Sequence, residues 1–430
     1  MREIITVQVG QCGNQIGSQF WELLAYEHGL TQQGIFEGRS DLQLQKINVY
    51  FMEAHNQVKY TPRTIMVDME PSTVDCILCC SHKEYFSPEL AICGTQGSGS
   101  NWAKGHLTDG VELVDVTLEI IRKLANECEQ LQGFQMIHSL GGGTGSGLGS
   151  LLTNKIKENF SDKIMCNFSI FPSEKISDVV VEPYNATLSV QQLMENSDLT
   201  FVLDNEALCN ICSETMKVPE PTYGDLNQLV CASMSGITTC LRFPGQLNAD
   251  LRKLSVNMIP FPMLHFLVTS YAPLNPQANS EHIVRSVSTL LQQLFQPRNL
   301  MASCDTNKGR YLSTAVIFRG IISTKEIEEE MMQIQTQMAD NFVDWLPSNI
   351  STAVCDIAPP GCCMCSTFIG NTTSIKDSFS LLADKFESML SQKAFLHWYT
   401  EEGLQEEEFA DALKKLKLLS SEYENLEGNK

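Results

Sequence analysis

The chain has 430 residues, with 30 lysine and arginine residues against 51 aspartate and glutamate residues, a formal charge of −21. At 43% hydrophobic and 19% charged residues it has ordinary globular usage, which excludes a disordered or collagen-like chain. Such a negative balance repels phosphate backbones and anionic lipid, and the densest basic stretch, Lys414, Lys415 and Lys417, has acidic neighbours, so neither nucleic acid nor a membrane is an expected partner.

Residues 3–9 read as a strand, and 11–27 as a helix with Ile16, Phe20, Leu23 and Leu24 at helical spacing. A short apolar strand follows at 64–68, ended by Pro71. Leu113, Val116, Ile120 and Leu124 mark a helix over 112–124. Residues 134–139 form the next strand, with Leu148, Leu151, Leu152 and Ile156 on one helix face behind it. Strands at 165–171 and 199–203 continue the alternation. Strand, glycine or polar loop, then helix, repeated, predicts an α/β fold with a parallel sheet covered on both faces and ligands at the carboxyl ends of its strands.

Beyond Asn205 comes a helical zone, then a mixed zone from Pro260 to Ile369 with strands at 265–269, 313–319 and 367–369. From Ile375 the chain is helical again, with Phe409, Leu413, Leu416, Leu419 or Ser420, and Tyr423 on one face. The expected domains are 1–205, 206–374 (a core helix and a mixed α/β intermediate domain) and 375–430 (C-terminal surface helices). Met1-Arg2-Glu3-Ile4 leads straight into the first strand, and the charge-free stretch 254–280 is broken by Pro260, Pro262, Pro273 and Pro276. No secretory leader or membrane span is therefore expected, and the protein reads as soluble and intracellular. Three C-x-x-C pairs, Cys76/Cys79, Cys209/Cys212 and Cys362/Cys365, lie too far apart to form one zinc site and read as small, buried, reduced side chains.

The strongest chemical signal is Ser139-Leu140-Gly141-Gly142-Gly143-Thr144-Gly145-Ser146-Gly147, between a strand and an amphipathic helix. Its glycines let backbone N–H groups approach an anion, and the helix start adds partial positive charge, so it reads as a phosphate cradle. It is not a Walker A loop, since no G-K-[ST] follows, nor the dinucleotide fingerprint, since Ser150 stands where the last glycine belongs. A second glycine turn, Gly10-Gln11-Cys12-Gly13, and a third loop, Gly94-Thr95-Gln96-Gly97-Ser98-Gly99-Ser100-Asn101, could surround the same polyphosphate. Asp68 and Glu70 end a strand where a carboxylate could hold Mg²⁺ directly or through water.

These runs, Gly10-Gln11-Cys12-Gly13-Asn14-Gln15-Ile16-Gly17 and Gly141 to Gly147, resemble those of the tubulins, and the resemblance covers essentially the whole chain. The run from Arg242 to Leu254, the opening Met1-Arg2-Glu3-Ile4, Phe395-Leu396-His397-Trp398-Tyr399-Thr400 and the short link between Val354 and Ser366 resemble the β type. The resemblance implies a GTP or GDP site with Mg²⁺. Gln11 and Cys12 would contact the nucleotide, Glu70 would serve Mg²⁺, and Asn101 and Thr144 would reach the γ-phosphate. Ser139, Gly143 and Gly145 would surround the phosphates, Asp178 and Glu182 the ribose, and Asn205, Tyr223 and Asn227 the guanine. Amide side chains can pair with the guanine edge and a tyrosine ring can stack on it.

The implied role is a subunit that pairs with α-tubulin, polymerises into cytoplasmic microtubules and meets microtubule-associated proteins and motors. Lys253 stands where the α type carries the glutamate that activates water on its neighbour's nucleotide, and an ammonium cannot accept a proton at neutral pH. The chain is therefore expected to hold hydrolysable GTP while a partner supplies the catalytic acid. It departs from the β pattern at Ser98, Ser100, the rewritten segment 275–284, Cys362-Cys363-Met364-Cys365 and Glu401, and the sequence stops at Lys430 without a glutamate-rich tail. The altered segment motivates an alternative, a non-polymerising α-tubulin-binding modulator or filament cap. An autonomous bacterial-type filament GTPase is disfavoured by Lys253, and a nicotinamide oxidoreductase by the missing fingerprint.

Overall fold

The computed structural model describes residues 2–38, 40–53, 59–79, 83–173, 176–245, 250–274, 286–346, 349–359 and 361–428. The strands are β1 (Arg2–Val9), β2 (Phe51–Glu53), β3 (Tyr60–Pro62), β4 (Thr64–Asp68), β5 (Ala91–Cys93), β6 (Gln130–Ser139), β7 (Ile164–Phe171), β8 (Leu199–Asp204), β9 (Phe266–Ala272), β10 (Tyr311–Gly320), β11 (Ile350–Cys355) and β12 (Met364–Thr372). β2 and β3 pair with each other, and the other ten form one sheet in the order β11-β10-β12-β9-β8-β7-β6-β1-β4-β5. From β5 to β9 every neighbour is parallel. β12 runs against both of its neighbours, and β10 and β11 are parallel.

Parallel neighbours need crossover connections, and the amphipathic helices supply them. Ile5, Val7 and Val9 of β1 pack with Val114, Leu118 and Ile121 of the helix Asp109–Asn126 and with Leu148, Leu152 and Ile156. Ile4, on the opposite face, joins Ile16, Phe20 and Leu24 of the helix Gly10–Glu27 and the buried side of the helix Tyr223–Arg242. The sheet continues across residue 205, because Thr200 to Val202 of β8 pair with Phe266 to Val268 of β9. β10, β12, the helix Lys376–Ser391 and the helix Glu406–Gly428 share a further core, in which Leu416, Leu419 and Tyr423 are buried. Phe409 is buried in an aromatic cluster with Tyr184, Phe386 and Tyr399.

Where the helix Tyr223–Arg242 ends, it meets a buried charge cluster. Arg242 and Arg319 lie 2.7 and 2.9 Å from the two Glu27 oxygens, and Ser235 donates to Glu27 at 2.7 Å. Burial alone would raise the Glu27 carboxyl, but the two guanidiniums outweigh it and bring it down to about 2.

Every cysteine among the described residues is a free thiol. Cys212 and Cys365 are buried as expected, but Cys76, Cys79 and Cys363 are exposed, so the buried reading fails for the first C-x-x-C pair. The short strands β2, β3 and β5 and the half-exposed β11 were not legible, since three residues hold no periodicity and an edge strand need not alternate. Residues 246–249 and 275–284, both invoked in the β-type reading, lie outside the described residues.

Candidate functional site

Because β1, β4, β5, β6, β7 and β8 are parallel, the loops that follow them emerge at one edge of the sheet. Gln11 and Cys12 follow β1, Glu70 follows β4, Asn101 follows β5, the glycine run follows β6, Asp178 and Glu182 follow β7, and Asn205 follows β8.

In the glycine run, protein donors hold the carbonyls. Asn185 Nδ2 donates to Gly141 O at 2.8 Å, Ser146 Oγ donates to Gly142 O, the Gly147 N–H donates to Gly143 O at 2.8 Å, and His138 Nδ1 lies 2.8 Å from Gly145 O. In a trans peptide the C=O and N–H point in opposite directions. Pinning four carbonyls inward therefore turns the following N–H groups outward, and those of Gly142, Gly143 and Thr144 take no backbone acceptor among the described residues. A Cβ on Gly142 would meet no atom within 4 Å, so the open side of the loop is there. The run enters its helix through a wide π turn, Thr144–Leu148, before the α-helix Gly149–Asn159.

The neighbouring loops interlock with it. Gly10, at φ +75°, lies so close that a Cβ there would sit 3.0 Å from Gly145 N, and a Cβ on Gly143 would sit 2.5 Å from Ser98 Oγ and 2.6 Å from Asn101 N. Ser98 Oγ and Thr144 Oγ1 are 3.1 Å apart. The helices beginning at Gly10, Thr144 and Glu182 have no side-chain cap, whereas Asn101, Asp204 and Thr222 cap theirs. The uncapped starts at Gly10 and Thr144 leave N–H groups and positive dipole ends for an anion, whereas at Glu182 the Tyr184 N–H is taken by Val181 O and that helix offers only its dipole end.

A second group of expected residues converges beside the loop. Partial burial, with the Glu182 and Asp178 carboxylates and the Cys12 thiol nearby, pushes the Tyr223 phenol above its ordinary value. Tyr223 remains 56% exposed, which leaves a ring face free to stack. Glu182 is buried in the first turn of its helix, and its Oε1 would lie 2.8 Å from a Cβ on Gly141. Burial raises the Cys12 thiol to about 12, so it stays protonated at neutral pH. Asn205 opens the helix after β8, and Asn227 is buried one turn into the helix that starts at Tyr223.

Glu70 accepts a hydrogen bond from Ser72 at 2.9 Å and lies beside Gly97. Asp68 behind it is buried, and that burial raises its carboxyl to about 6. Among the described residues no three His, Cys, Asp or Glu side chains converge as a metal cage. Glu70 fits the other way Mg²⁺ is held, by one carboxylate together with phosphate oxygens and water.

Two expectations change in detail. The Asn101 side chain faces away from the glycine run: its Oδ1 caps the helix Trp102–Leu107 through the Ala103 N–H at 2.9 Å, and its Nδ2 donates to Trp398 O at 2.8 Å. Gly143 packs against the third loop, so Gly142 is the glycine with free space before it. His138 and Asn185, which anchor the loop from below, were missed. Both are polar residues inside apolar runs and 0% exposed. Burial lowers the His138 imidazole to about 4, so the ring is neutral, with Nδ1 donating to Gly145 O and Nε2 accepting from Ser169 Oγ at 2.9 Å.

Lys253 lies at the other edge of the sheet. Its helix, Leu251–Met258, is tied to the amino-terminal ends of the parallel strands. Asp250 pairs with Arg2 of β1, the Leu251 N–H donates to Gln132 of β6 at 2.5 Å, and Arg252 donates to Asp162 O, just before β7, at 2.9 Å. Beside it Val256, Phe261, Met263 and Trp345 are exposed, and the Phe261 and Trp345 rings are 5.8 Å apart.

No helix among the described residues is long and apolar enough to cross a membrane. Compared with protein families, residues 3–213 match the GTPase domain of the Tubulin/FtsZ family, and residues 262–384 match the tubulin C-terminal domain. The two matches together span more than three quarters of the chain.

Proposed function

The chain belongs to the tubulin family, a family of guanine-nucleotide-binding cytoskeletal proteins, and from that premise we propose that it is a β-tubulin-like subunit. It holds GTP with Mg²⁺, pairs head-to-tail with α-tubulin and polymerises into microtubules in the cytoplasm. Residues 1–205 act as the GTP-binding domain, 206–374 as the core helix and intermediate domain, and 375–430 as the outer helices. The observation that carries the reading is the glycine run with its carbonyls held inward and its N–H groups open.

In this reading the N–H groups of Gly142, Gly143 and Thr144 bind the phosphates, with Gln11, Cys12, Ser139 and Gly145 around them. Asp178 and Glu182 orient the ribose, Tyr223 stacks on guanine, and Asn205 and Asn227 pair with its edge. Glu70 holds Mg²⁺, which supplies charge neutralisation to the phosphates. Lys253 and the apolar surface beside it lie at the edge opposite the loops, which supports head-to-tail stacking. Each subunit then lays its Leu251–Met258 helix over the neighbour's loops. The Lys253 ammonium cannot take a proton from water at the neighbour's nucleotide, and this chain's own GTP is hydrolysed when a partner lays an acidic residue over its loops.

Purification of the full chain, followed by analysis of its bound nucleotide and of the copurifying protein, tests the reading. Guanine nucleotide and an α-type subunit are the expected result. Absence of guanine nucleotide at stoichiometric level would refute it. Co-pelleting with microtubules separates a lattice subunit from a filament cap.

A further inference from the structure

Asn185, in the first turn of the helix Glu182–Asn196, uses both ends of its amide. Its Nδ2 donates to Gly141 O at 2.8 Å and to Ser100 O at 2.7 Å, while its Oδ1 accepts from the Trp102 N–H at 3.0 Å and from Tyr399 Oη at 2.7 Å. The four partners come from four segments: the glycine run, the loop after β5, the helix Trp102–Leu107, and the C-terminal helix Leu396–Glu401. Two parallel links join the same layers, Asn101 Nδ2 to Trp398 O at 2.8 Å and Thr108 Oγ1 to Glu402 Oε2 at 2.6 Å. The helix between them has no slack. A Cβ on Gly105 would lie 2.4 Å from Gly143 O, one on Gly147 would lie 2.3 Å from Trp102 O, and His106 Nδ1 is 3.1 Å from Gly147 O.

We propose that Asn185 is a positioning residue that couples the phosphate-binding form of the glycine run to the seating of Leu396–Glu401, so that nucleotide affinity depends on the Tyr399 hydroxyl in the outer helical layer. The inference rests on the reading of the run as a GTP cradle. The Gly141 carbonyl sets the direction of the Gly142 N–H, because both belong to one planar peptide. Asn185 holds that carbonyl only while its own oxygen faces Trp102 and Tyr399. Removing the Tyr399 hydroxyl takes away one of the two donors that fix the amide orientation, at a point where Asn185 and Tyr399 are both buried. The coupling is reciprocal: an anion bound at the run steadies the contact between Asn185 and Tyr399 and, through it, the helix Leu396–Glu401, and loss of that contact weakens nucleotide binding.

The test uses the full chain and fluorescent GTP, with thermal unfolding followed in parallel. Tyr399→Phe should fold and bind GTP about three- to tenfold more weakly, the value of one buried hydrogen bond. Tyr184→Phe is the control: it removes a hydroxyl from the same aromatic cluster, one that donates to Ala394 O at 2.9 Å and does not touch Asn185. It should lower the melting temperature and leave GTP affinity unchanged. Asn185→Asp, which cannot donate to the two carbonyls, should weaken binding further. If it does not fold, Tyr399→Phe still carries the test. GTP should also slow hydrogen exchange across residues 396–401 in the wild type and lose that effect in Tyr399→Phe. Wild-type affinity in folded Tyr399→Phe, or equal weakening in Tyr399→Phe and Tyr184→Phe, would overturn the coupling. Failure of the wild-type chain to bind GTP would instead overturn the cradle reading beneath it.

Discussion

The neighbouring glycines Gly142 and Gly143 make opposite predictions. A Cβ on Gly142 would meet nothing within 4 Å, while one on Gly143 would lie 2.5 to 2.7 Å from Ser98 and Asn101. Gly142 has no left-handed φ that would strain an alanine, so Gly142→Ala should fold with unchanged or slightly higher stability, the usual gain being about 0.4–1 kcal/mol. The new methyl then stands in the space a phosphate needs. Loss of two N–H contacts to a charged oxygen, each worth about 1.5–3 kcal/mol, predicts weaker GTP binding by about 10²–10⁴. Gly143→Ala should instead pry the third loop from the run and lower the melting temperature along with the affinity. Thermal unfolding and titration with fluorescent GTP read the two effects separately. Wild-type GTP affinity in a folded Gly142→Ala chain would refute the assignment of the open side of the loop to phosphate.

The remaining predictions concern charge and backbone. Lys253→Glu should leave this chain's own GTPase rate nearly unchanged and speed hydrolysis on the α partner by about 10²–10⁴, as read with GTP labelled separately on each subunit. His138 is held neutral, with its imidazole lowered to about 4 from an unfolded value of about 6.5. The unfolded chain therefore binds the extra proton first. Stability should be full above pH 6.5 and fall by up to about 3 kcal/mol as the pH drops toward 4, and His138→Gln should flatten that part of the melting-temperature profile. Ser100 has a φ of 57°, and Ser100→Gly should raise stability by about 1 kcal/mol in chemical denaturation. Glu27→Gln removes the anion between two buried guanidiniums and should cost about 3–5 kcal/mol by the same assay.

The parallel half of the fold was legible because its strands and helices are long enough to show their periods, as in β1, β6 and β7 and the helix Asp109–Asn126. Glycine loops between those elements made the phosphate site legible too, since only close backbone approach explains so many glycines in a row. What stayed hidden depends on distant parts of the chain. Asn185 and Tyr399 are 214 residues apart, and nothing local marks either as a partner of the glycine run. Asn101 looks like a ligand in a glycine-rich loop, yet its amide is taken up by Ala103 and Trp398. Residue type announces donors and acceptors, whereas the direction a side chain points is set by packing.

The uneven exposure of the thiols makes the chain its own labelling reagent scaffold. Burial raises Cys12, Cys240, Cys304 and Cys365 to about 12, and each unit of that rise leaves tenfold less thiolate to react. Cys76, Cys79 and Cys363 are the exposed thiols among the described residues. A brief maleimide treatment at neutral pH should therefore mark the end of the helix Pro71–Cys79 and the approach to β12, and leave the thiol beside the glycine run untouched. Fluorophores introduced there would mark the chain without occupying the cradle.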